Sequence, residues 1–276
     1  MVDSFSNPTM AVAASIMSTL SITQRLNKSW RIIATAGCFC FFGLGALVLT
    51  FMVFPVISLL TPQRQQREIK VQTIIQRAFH FFCRTMRFVK VIDYRFDNLA
   101  ALQADRHCVI VANHPSLIDY VLIASQLPQC DCLVKATIWH NPFIKGIVKA
   151  AGYIPNKDPE GLLTACNQRL QQGNVLLVFP EGTRTTPAIT PKLQRGAAQI
   201  AVRSQVDIRV IHITVTPSFL TKEQKWYQVP DHKPFFLIEI KDKLNIASYL
   251  AANSSSTTAA RQLNKHLTSA IFPTNV

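Results

Sequence analysis

Residues 108–119 have the sequence CVIVANHPSLID, in which a run of apolar residues leads directly into a polar turn. A short apolar run bounded by turn residues is typical of a strand that is buried on both faces. Residues 174–179, NVLLVF, form a second run of this kind, and PEGTR follows at 180–184. Because helical patterns separate these runs, the sequence predicts an α/β fold with a mixed, mostly parallel sheet flanked by helices.

The same alternation continues through the second half of the chain. Further strands are predicted at 132–135, 153–154, 208–215 and 235–240. Helices are predicted at 117–125, 142–151, 158–172, 193–204 and 259–272. The sequence contains neither a GxGxxG nor a P-loop fingerprint, so it does not indicate a nucleotide-binding fold of either type.

A long apolar stretch precedes this part. Residues 32–60 contain no charged residue, and a helix of that length would measure roughly 43 Å, against roughly 30 Å for the hydrocarbon core of a bilayer. A single tilted span fits, and so does a bent or re-entrant pair of helices, because Gly43, Gly45 and Pro55 interrupt the run. The sequence predicts an N-terminal membrane helix or helical hairpin.

The next segment, 62–90, has the pattern of a basic amphipathic helix. Its predicted apolar face consists of Val71, Ile75, Ala78, Phe79, Phe82, Met86 and Val89, and its basic stripe of Arg67, Lys70, Arg77 and Arg84. Such a helix directly after an apolar anchor is typical of one that lies on anionic lipid. Its apolar face could also pack on the following domain while the charges are solvated, and both can hold together. We expect a weakly ordered start (1–31), a membrane anchor with an interfacial helix (32–90) and an α/β domain (91–276).

Composition narrows the class of protein. Hydrophobic residues make up 49% and charged residues 16% of the 276 residues, where about 25% charged is ordinary for a soluble domain. This excludes a disordered or collagen-like chain. The formal net charge of +14 predicts an anionic partner: nucleic acid, a phospholipid surface, or an acidic substrate or carrier. Signatures of nucleic-acid binding are missing from the sequence. The seven cysteines have no zinc-site spacing, so we expect reduced, mostly buried thiols and no metal site.

Two motifs could carry chemistry. His114 and Asp119 are five residues apart in the turn after the first strand. The carboxylate can therefore orient one imidazole nitrogen while the other faces a substrate hydroxyl, as in the base and orienting acid of a catalytic triad. A histidine at the start of a helix, with an exposed aspartate, is the alternative.

The second motif stands at the carboxyl end of the NVLLVF strand, where α/β sheets bind ligands. It supplies Glu181, Gly182, Thr183 and Arg184. Thr183 and Arg184 can donate to phosphate or carboxylate oxygens, and Glu181 can accept from a hydroxyl.

An NHxxxxD turn followed by FPEGTR, behind an apolar N-terminus, resembles the lysophospholipid acyltransferase family, the 1-acylglycerol-3-phosphate acyltransferases and their relatives. The resemblance covers about residues 88–217. It implies that His114 is the general base, that Asp119 orients it, and that residues 181–184 bind the acceptor. In the stretch 152–158 the family has an arginine where this chain has Asp158, with Lys157 beside it as a possible substitute for the phosphate-binding charge.

The resemblance implies a membrane-bound O-acyltransferase of phospholipid biosynthesis. It would transfer a fatty acyl group from acyl-CoA or acyl carrier protein to the hydroxyl of a lysophospholipid such as 1-acylglycerol-3-phosphate, with no cofactor beyond the thioester co-substrate. Its partners would be a phospholipid membrane, a lipid acceptor and an acyl thioester donor, for which an acyl carrier protein is one candidate, but no nucleic acid. We expect the inner membrane of a bacterium, with the catalytic domain on the cytoplasmic face. The alternatives are the same chemistry on a non-phosphate lipid acceptor and a non-catalytic lipid-binding membrane protein.

Overall fold

A computed structural model describes residues 8–135, 145–156, 159–186 and 191–272. The N-terminal part consists of α1 (Pro8–Val48), a π-helical segment (Leu49–Val53), α2 (Phe54–Leu60) and α3 (Arg64–Phe88). Helix α1 crosses residue 31 without a break, so the structure does not divide the chain where the weakly ordered start was predicted to end.

The α/β domain follows. Its strands are β1 (Asp93–Asp97), β2 (Cys108–Ala112), β3 (Cys130–Lys135), β4 (Ile154–Asn156), β5 (Val175–Val178), β6 (Ile208–Thr216) and β7 (Phe235–Leu244). Its helices are α4 (Leu99–Ala104), α5 (Asp119–Ala124), α6 (Lys145–Ala150), α7 (Pro159–Gln171), α8 (Gly196–Ser204), α9 (Ile246–Ala251) and α10 (Ser256–Ile271). The predicted helix 142–151 begins outside the described residues, and α6 forms its later part.

The described strands form a sheet in the order β1-β7-β6-β2-β5-β3-β4. Neighbouring strands are parallel except for β6 and β7, which are antiparallel. This confirms the predicted mixed, mostly parallel α/β fold. In the central pair, Val111 of β2 lies opposite Val178 of β5. The turns that follow these strands therefore emerge side by side at one edge of the sheet.

Two buried apolar clusters cover the faces of this sheet. Strand β2 is buried along its whole length and contributes to both, with Ile110 on one side and Val109 and Val111 on the other. This is the burial that the continuous apolar run predicted, because alternate side chains of a strand point to opposite faces. All seven cysteines are free, and five of them are buried, as predicted.

Helix α3 packs antiparallel to α1 and α2. Phe42 of α1 contacts Phe82 with a centroid distance of 5.0 Å, while Phe54 of α2 shares a buried cluster with Val71 and Ile75, near the start of α3. The buried residues of α3 also include Met86. The apolar face predicted for this helix is thus turned onto its neighbours, as in the packing alternative.

The other face of this helical pair is apolar and exposed. The continuous helix from Ile22 to Leu60 has 39 residues and is long and apolar enough to cross a membrane. Large apolar side chains exposed on it are Ile22, Leu26, Trp30, Ile33, Phe41, Phe42, Leu44, Val48, Phe51, Met52, Val56, Leu59 and Leu60. On α3, the exposed Arg77, Phe81, Arg84 and Phe88 follow one another at helical spacing on a single face.

The apolar helix touches the α/β domain near both of its ends. At the first end Arg31 is buried, and its Nη2 donates to the carbonyl oxygens of Pro230 and Asp231, each at 2.6 Å. At the second end Phe54 lies in a buried cluster with Ala151. A helix between residues 31 and 54 measures roughly 35 Å. The segment therefore lies along the α/β domain instead of projecting from it.

Three elements of the domain were not predicted: β1, α4 and α9. Strand β1 has the sequence DYRFD and none of its residues is buried, so it has no apolar run to mark it. Helices α4 and α9 have six residues each, which is too short for a helical period to stand out.

Candidate active site

The turn after β2 is fixed to the sheet before it reaches the histidine. Asn113 is buried, and its amide binds Ile213 of β6 in both directions, donating from Nδ2 at 2.8 Å and accepting at Oδ1 at 2.6 Å. The next residue, His114, therefore starts from a defined position at the edge of the sheet.

His114 and Asp119 meet as predicted. The turn folds back so that His114 Nδ1 lies 3.0 Å from Asp119 Oδ2, and the same oxygen accepts the Ser116 N–H at 2.6 Å. These contacts suit a ring that carries its proton on Nδ1, which leaves Nε2 for a group in the adjoining cavity. The arrangement has the geometry of a general base and its orienting acid.

Asp119 is fully buried, unlike the exposed aspartate of the alternative interpretation. Burial raises the pKa of its carboxyl to about 6, against the opposing effect of the hydrogen bonds from His114 and the Ser116 N–H. Among the described residues Oδ1 has no hydrogen-bond partner. Within the described part of the chain, the carboxylate thus accepts through Oδ2 alone, from the imidazole and from the Ser116 N–H of the turn.

The loop after β5 supports the histidine from the other side. Phe179 stacks on the imidazole with a centroid distance of 4.3 Å. The His114 N–H donates to Glu181 Oε1 at 2.8 Å, and Thr185 donates its hydroxyl to the same oxygen at 2.7 Å. The Thr185 N–H in turn donates to the His114 carbonyl at 2.7 Å. The two motifs are therefore joined by hydrogen bonds into one structural unit.

Glu181 has a different position from the one expected of a substrate-binding acid. It is buried, it contacts the backbone of His114, and it is not among the residues that line the cavity. Burial raises the pKa of its carboxyl, while Thr185 and His114 oppose that rise. In the structure Glu181 thus holds the histidine turn through Oε1, and its binding of an acceptor stays a prediction.

Gly182 and Arg184 complete the loop. Gly182 has a φ of +68°, a conformation that is strained for residues with a side chain, so this position favours glycine. Arg184 Nη1 donates to the carbonyl oxygens of Leu220 and Thr221 at 2.9 and 2.8 Å. One end of the guanidinium thus holds the loop after β6, while Nε and Nη2 bind none of the residues that the structure describes.

A cavity of about 1190 Å³ opens beside His114, larger than the roughly 300–1,000 Å³ typical of small-molecule sites. Apolar side chains from α1, α3, β3 and β5 form most of its wall, and Thr183, Arg184 and Gln194 contribute polar groups. Through Phe41, Phe42 and Phe81 the wall continues to the exposed apolar helices. The cavity can hold an elongated apolar ligand that has a polar head.

Residues 93–217, which contain both motifs and the strands that carry them, match the Acyltransferase family. The match covers somewhat less than half of the chain. The resemblance stated from the two motifs is therefore confirmed, and the family match begins at the first residue of β1, which the sequence did not reveal as a strand.

The chain is also similar to curated proteins from organisms that are distant from one another. The chain is 25% identical over 224 residues to 1-acyl-sn-glycerol-3-phosphate acyltransferase beta of Homo sapiens, covering 78% of this chain and 76% of that one. It is 35% identical over 109 residues to 1-acyl-sn-glycerol-3-phosphate acyltransferase of Helicobacter pylori, covering 37% and 46%. The chain spans 50% of the length of a chloroplastic relative from Brassica napus, at 24% identity over 62% of this chain.

The fold is also that of a solved structure. The 1-acyl-sn-glycerophosphate acyltransferase PlsC from Thermotoga maritima superposes with a TM-score of 0.65 at 17% identity, covering 89% of this chain and 97% of that one. Because coverage extends over most of both chains, the common fold includes helices outside the family match.

The sequence did not single out every residue of this site. Thr185 and Phe179 support His114 through contacts that no spacing rule indicates. Lys157, predicted to replace a phosphate-binding arginine, lies outside the described residues, as does Asp158, so its role stays a prediction.

Proposed function

We propose that this chain is a membrane-bound O-acyltransferase. It would transfer a fatty acyl group from an acyl thioester to the hydroxyl of a lysophospholipid such as 1-acylglycerol-3-phosphate. The observation that carries the proposal is the His114–Asp119 pair at the wall of a large apolar cavity, which continues to exposed apolar helices. The names of the Homo sapiens and Helicobacter pylori relatives support the acceptor.

In the proposed reaction His114 acts as a general base. Its Nε2 takes the proton of the acceptor hydroxyl while the hydroxyl oxygen attacks the thioester carbonyl, and the Nδ1–H donates to Asp119 as the imidazolium forms. The C–O ester bond forms, the C–S bond breaks, and the imidazolium returns the proton to the departing thiolate. The products are an ester and a free thiol.

Acyl transfer would be direct, without an acyl-enzyme. The hydroxyl nearest the histidine in the sequence is that of Ser116, which is completely buried and is not among the residues lining the cavity. A nucleophile has to reach the thioester carbonyl to form a covalent intermediate. The acceptor hydroxyl is therefore the attacking group in this proposal.

The test is an acyl-transfer assay on the purified full chain in neutral detergent. Acyl-CoA and acyl carrier protein thioesters would each be offered with 1-acylglycerol-3-phosphate and with uncharged lipid alcohols. We expect diacylated product from 1-acylglycerol-3-phosphate. Product only from an uncharged acceptor would favour the alternative suggested by Asp158, the same chemistry on a non-phosphate lipid. The absence of transfer with every pair would contradict the enzymatic proposal.

The proposal also concerns the position of the apolar helices relative to the bilayer. The α/β domain contacts the apolar helix near both Arg31 and Phe54. If the helix crossed the bilayer, these two contacts would lie on opposite sides of the membrane, although they belong to one domain. We propose that α1, α2 and the exposed face of α3 lie in one leaflet. Arg77 and Arg84, which are exposed beside Phe81 and Phe88, would then meet lipid headgroups.

Labelling in sealed vesicles tests this arrangement. Asn27→Cys and Gln63→Cys place thiols at exposed positions on either side of the apolar stretch, in a chain that carries Cys40→Ser, since the Cys40 side chain is exposed. We expect a membrane-impermeant maleimide to reach both positions from the same side as the α/β domain. Labelling of the two positions from opposite sides would show that the helix spans the bilayer.

A further inference from the structure

The cavity wall carries positive charge and no negative charge. Of the described residues that line it, the charged ones are Arg184 and Lys222, and none is an aspartate or a glutamate. His114 and Thr183 line the same cavity. A mostly apolar site with two cations and no acid is suited to a ligand whose head is anionic.

Lys222 follows directly on the loop that Arg184 holds. The guanidinium binds the carbonyl oxygens of Leu220 and Thr221, the two residues before Lys222. The two cations are therefore on loops that touch, and the contact brings Lys222 to the polar part of the cavity next to the FPEGTR motif.

The loop itself is firmly fixed. Phe219 and Leu220 are buried, and the Leu220 carbonyl also accepts the Leu117 N–H of the histidine turn at 3.1 Å. Leu220 has a φ of +55°, a backbone conformation that is unfavourable for residues other than glycine. Such a conformation persists where surrounding contacts enforce it. Lys222 is thus presented from a defined backbone position.

The side chain of Lys222 has no charge partner in the described part of the chain, and it is exposed. Other lysines of the same connection differ from it. Lys233 is paired with Asp93 at 2.8 Å, and Lys225 lies over the Tyr227 ring. Neither of these two lines the cavity.

We propose that Lys222 is a specificity-determining residue that, together with the free nitrogens of Arg184, binds a phosphate monoester on the acceptor lipid. The inference rests on the proposed function. A phosphate monoester carries roughly 1.5 to 2 negative charges near neutral pH. The single positive charge of the Arg184 guanidinium cannot neutralise all of this charge. The Lys222 ammonium adds a second, movable charge with three donors.

Equilibrium binding to the full chain in micelles of an uncharged detergent tests the proposal. The two ligands are labelled 1-acylglycerol-3-phosphate and labelled 1-acylglycerol, which differ only in the phosphate. We expect Lys222→Gln to weaken binding of the phosphate ligand by about 10-fold or more, since a charge-assisted hydrogen bond is lost. Binding of 1-acylglycerol should not change, and Lys222→Arg should restore most of the affinity.

Lys225→Gln is the matched control, because it removes the same charge from the same loop outside the cavity. We expect it to leave the affinity for both ligands near that of the unmodified chain. Equal losses in the Lys222→Gln and Lys225→Gln variants would mean that only the general charge of the loop matters, and would overturn the proposal. Unchanged binding in Lys222→Gln, or equal losses for both ligands, would also overturn it.

Binding does not require turnover, so the same measurement in a His114→Ala background separates this inference from the proposed function. If the unmodified chain transfers no acyl group with any donor and acceptor, while Lys222→Gln selectively weakens binding of the phosphate ligand, the phosphate site would be supported and the enzymatic proposal contradicted. In an active chain, we expect Lys222→Gln to raise KM for 1-acylglycerol-3-phosphate with kcat little changed. A fall in kcat at constant KM would overturn the assignment to acceptor binding.

Discussion

Replacement of His114 by alanine is expected to lower the rate of acyl transfer by about 10³-fold, within the range that a general base contributes. The imidazole is the group that would take the proton of the acceptor hydroxyl, and its Nδ1 is already committed to Asp119. The measurement is kcat/KM with 1-acylglycerol-3-phosphate and one acyl thioester, on protein purified in the same detergent as the unmodified chain.

Two controls make this result specific. His232→Ala removes an exposed histidine that is not among the cavity-lining residues and should keep full activity. His114→Ala should still fold, since the backbone bonds from His114 to Glu181 and Thr185 do not use the imidazole. Its unfolding temperature should be somewhat lower, because buried Asp119 loses a hydrogen-bond partner. A folded His114→Ala variant that retains a tenth or more of the activity would contradict the base assignment.

The second large effect is expected for Asp119→Asn. An asparagine has nearly the same volume, and its carbonyl oxygen can accept from both the imidazole and the Ser116 N–H, as Asp119 Oδ2 does. It is uncharged, however, and cannot stabilise an imidazolium by charge. Loss of an orienting carboxylate of this kind lowers the rate by roughly 10³- to 10⁴-fold. The same transfer assay measures it. Activity within a few-fold of the unmodified chain would show that the carboxylate does not assist the histidine.

The pH dependence of acyl transfer and of stability gives a second, independent test of the role of Asp119. Because burial raises the pKa of Asp119 to about 6, transfer by the unmodified chain should fall as the pH drops through about 6, where the carboxylate becomes protonated. The raised pKa also means that the protonated form is favoured by folding. This contribution to stability is complete below the unfolded pKa of about 4 and is lost as the pH rises through about 6.

Asparagine is uncharged at every pH, so the stability of Asp119→Asn relative to the unmodified chain should increase between pH 4 and pH 7. Thermal unfolding in detergent across that range measures it. A stability difference that decreases over the same interval would mean that folding favours the ionised carboxylate, in contradiction to the cost of burying the charge.

The sequence alone predicted the central strands of the sheet but not its edge strand β1. The central strands β2 and β5 could be predicted because uninterrupted apolar runs can be stable only where both faces of a strand are covered. Strand β1 could not, since its charged sequence owes its place to the pairing with β7 at the edge of the sheet.

The site shows the same difference. The spacing of His114 and Asp119 is local, and a five-residue turn brings the two side chains together. The contact between His114 and Glu181 spans 67 positions and arises because β2 and β5 are neighbours in the sheet. Lys222 was not singled out at all, because its approach to the cavity depends on the loop held by Arg184.

By itself the sequence determined the α/β class, the apolar character of the N-terminal helix, the residues of the two motifs and the resemblance to a family. These properties follow from local pattern: burial of short apolar runs, an absence of charge over a bilayer-length stretch, and residue types at fixed short spacing. Only the tertiary structure decided that the apolar helix lies along the domain, that Glu181 contacts the backbone of His114, and that Lys222 and Arg184 line the same cavity. Each of these depends on which strands become neighbours and which loops then touch, and contacts between residues so far apart in the chain leave no periodic signal.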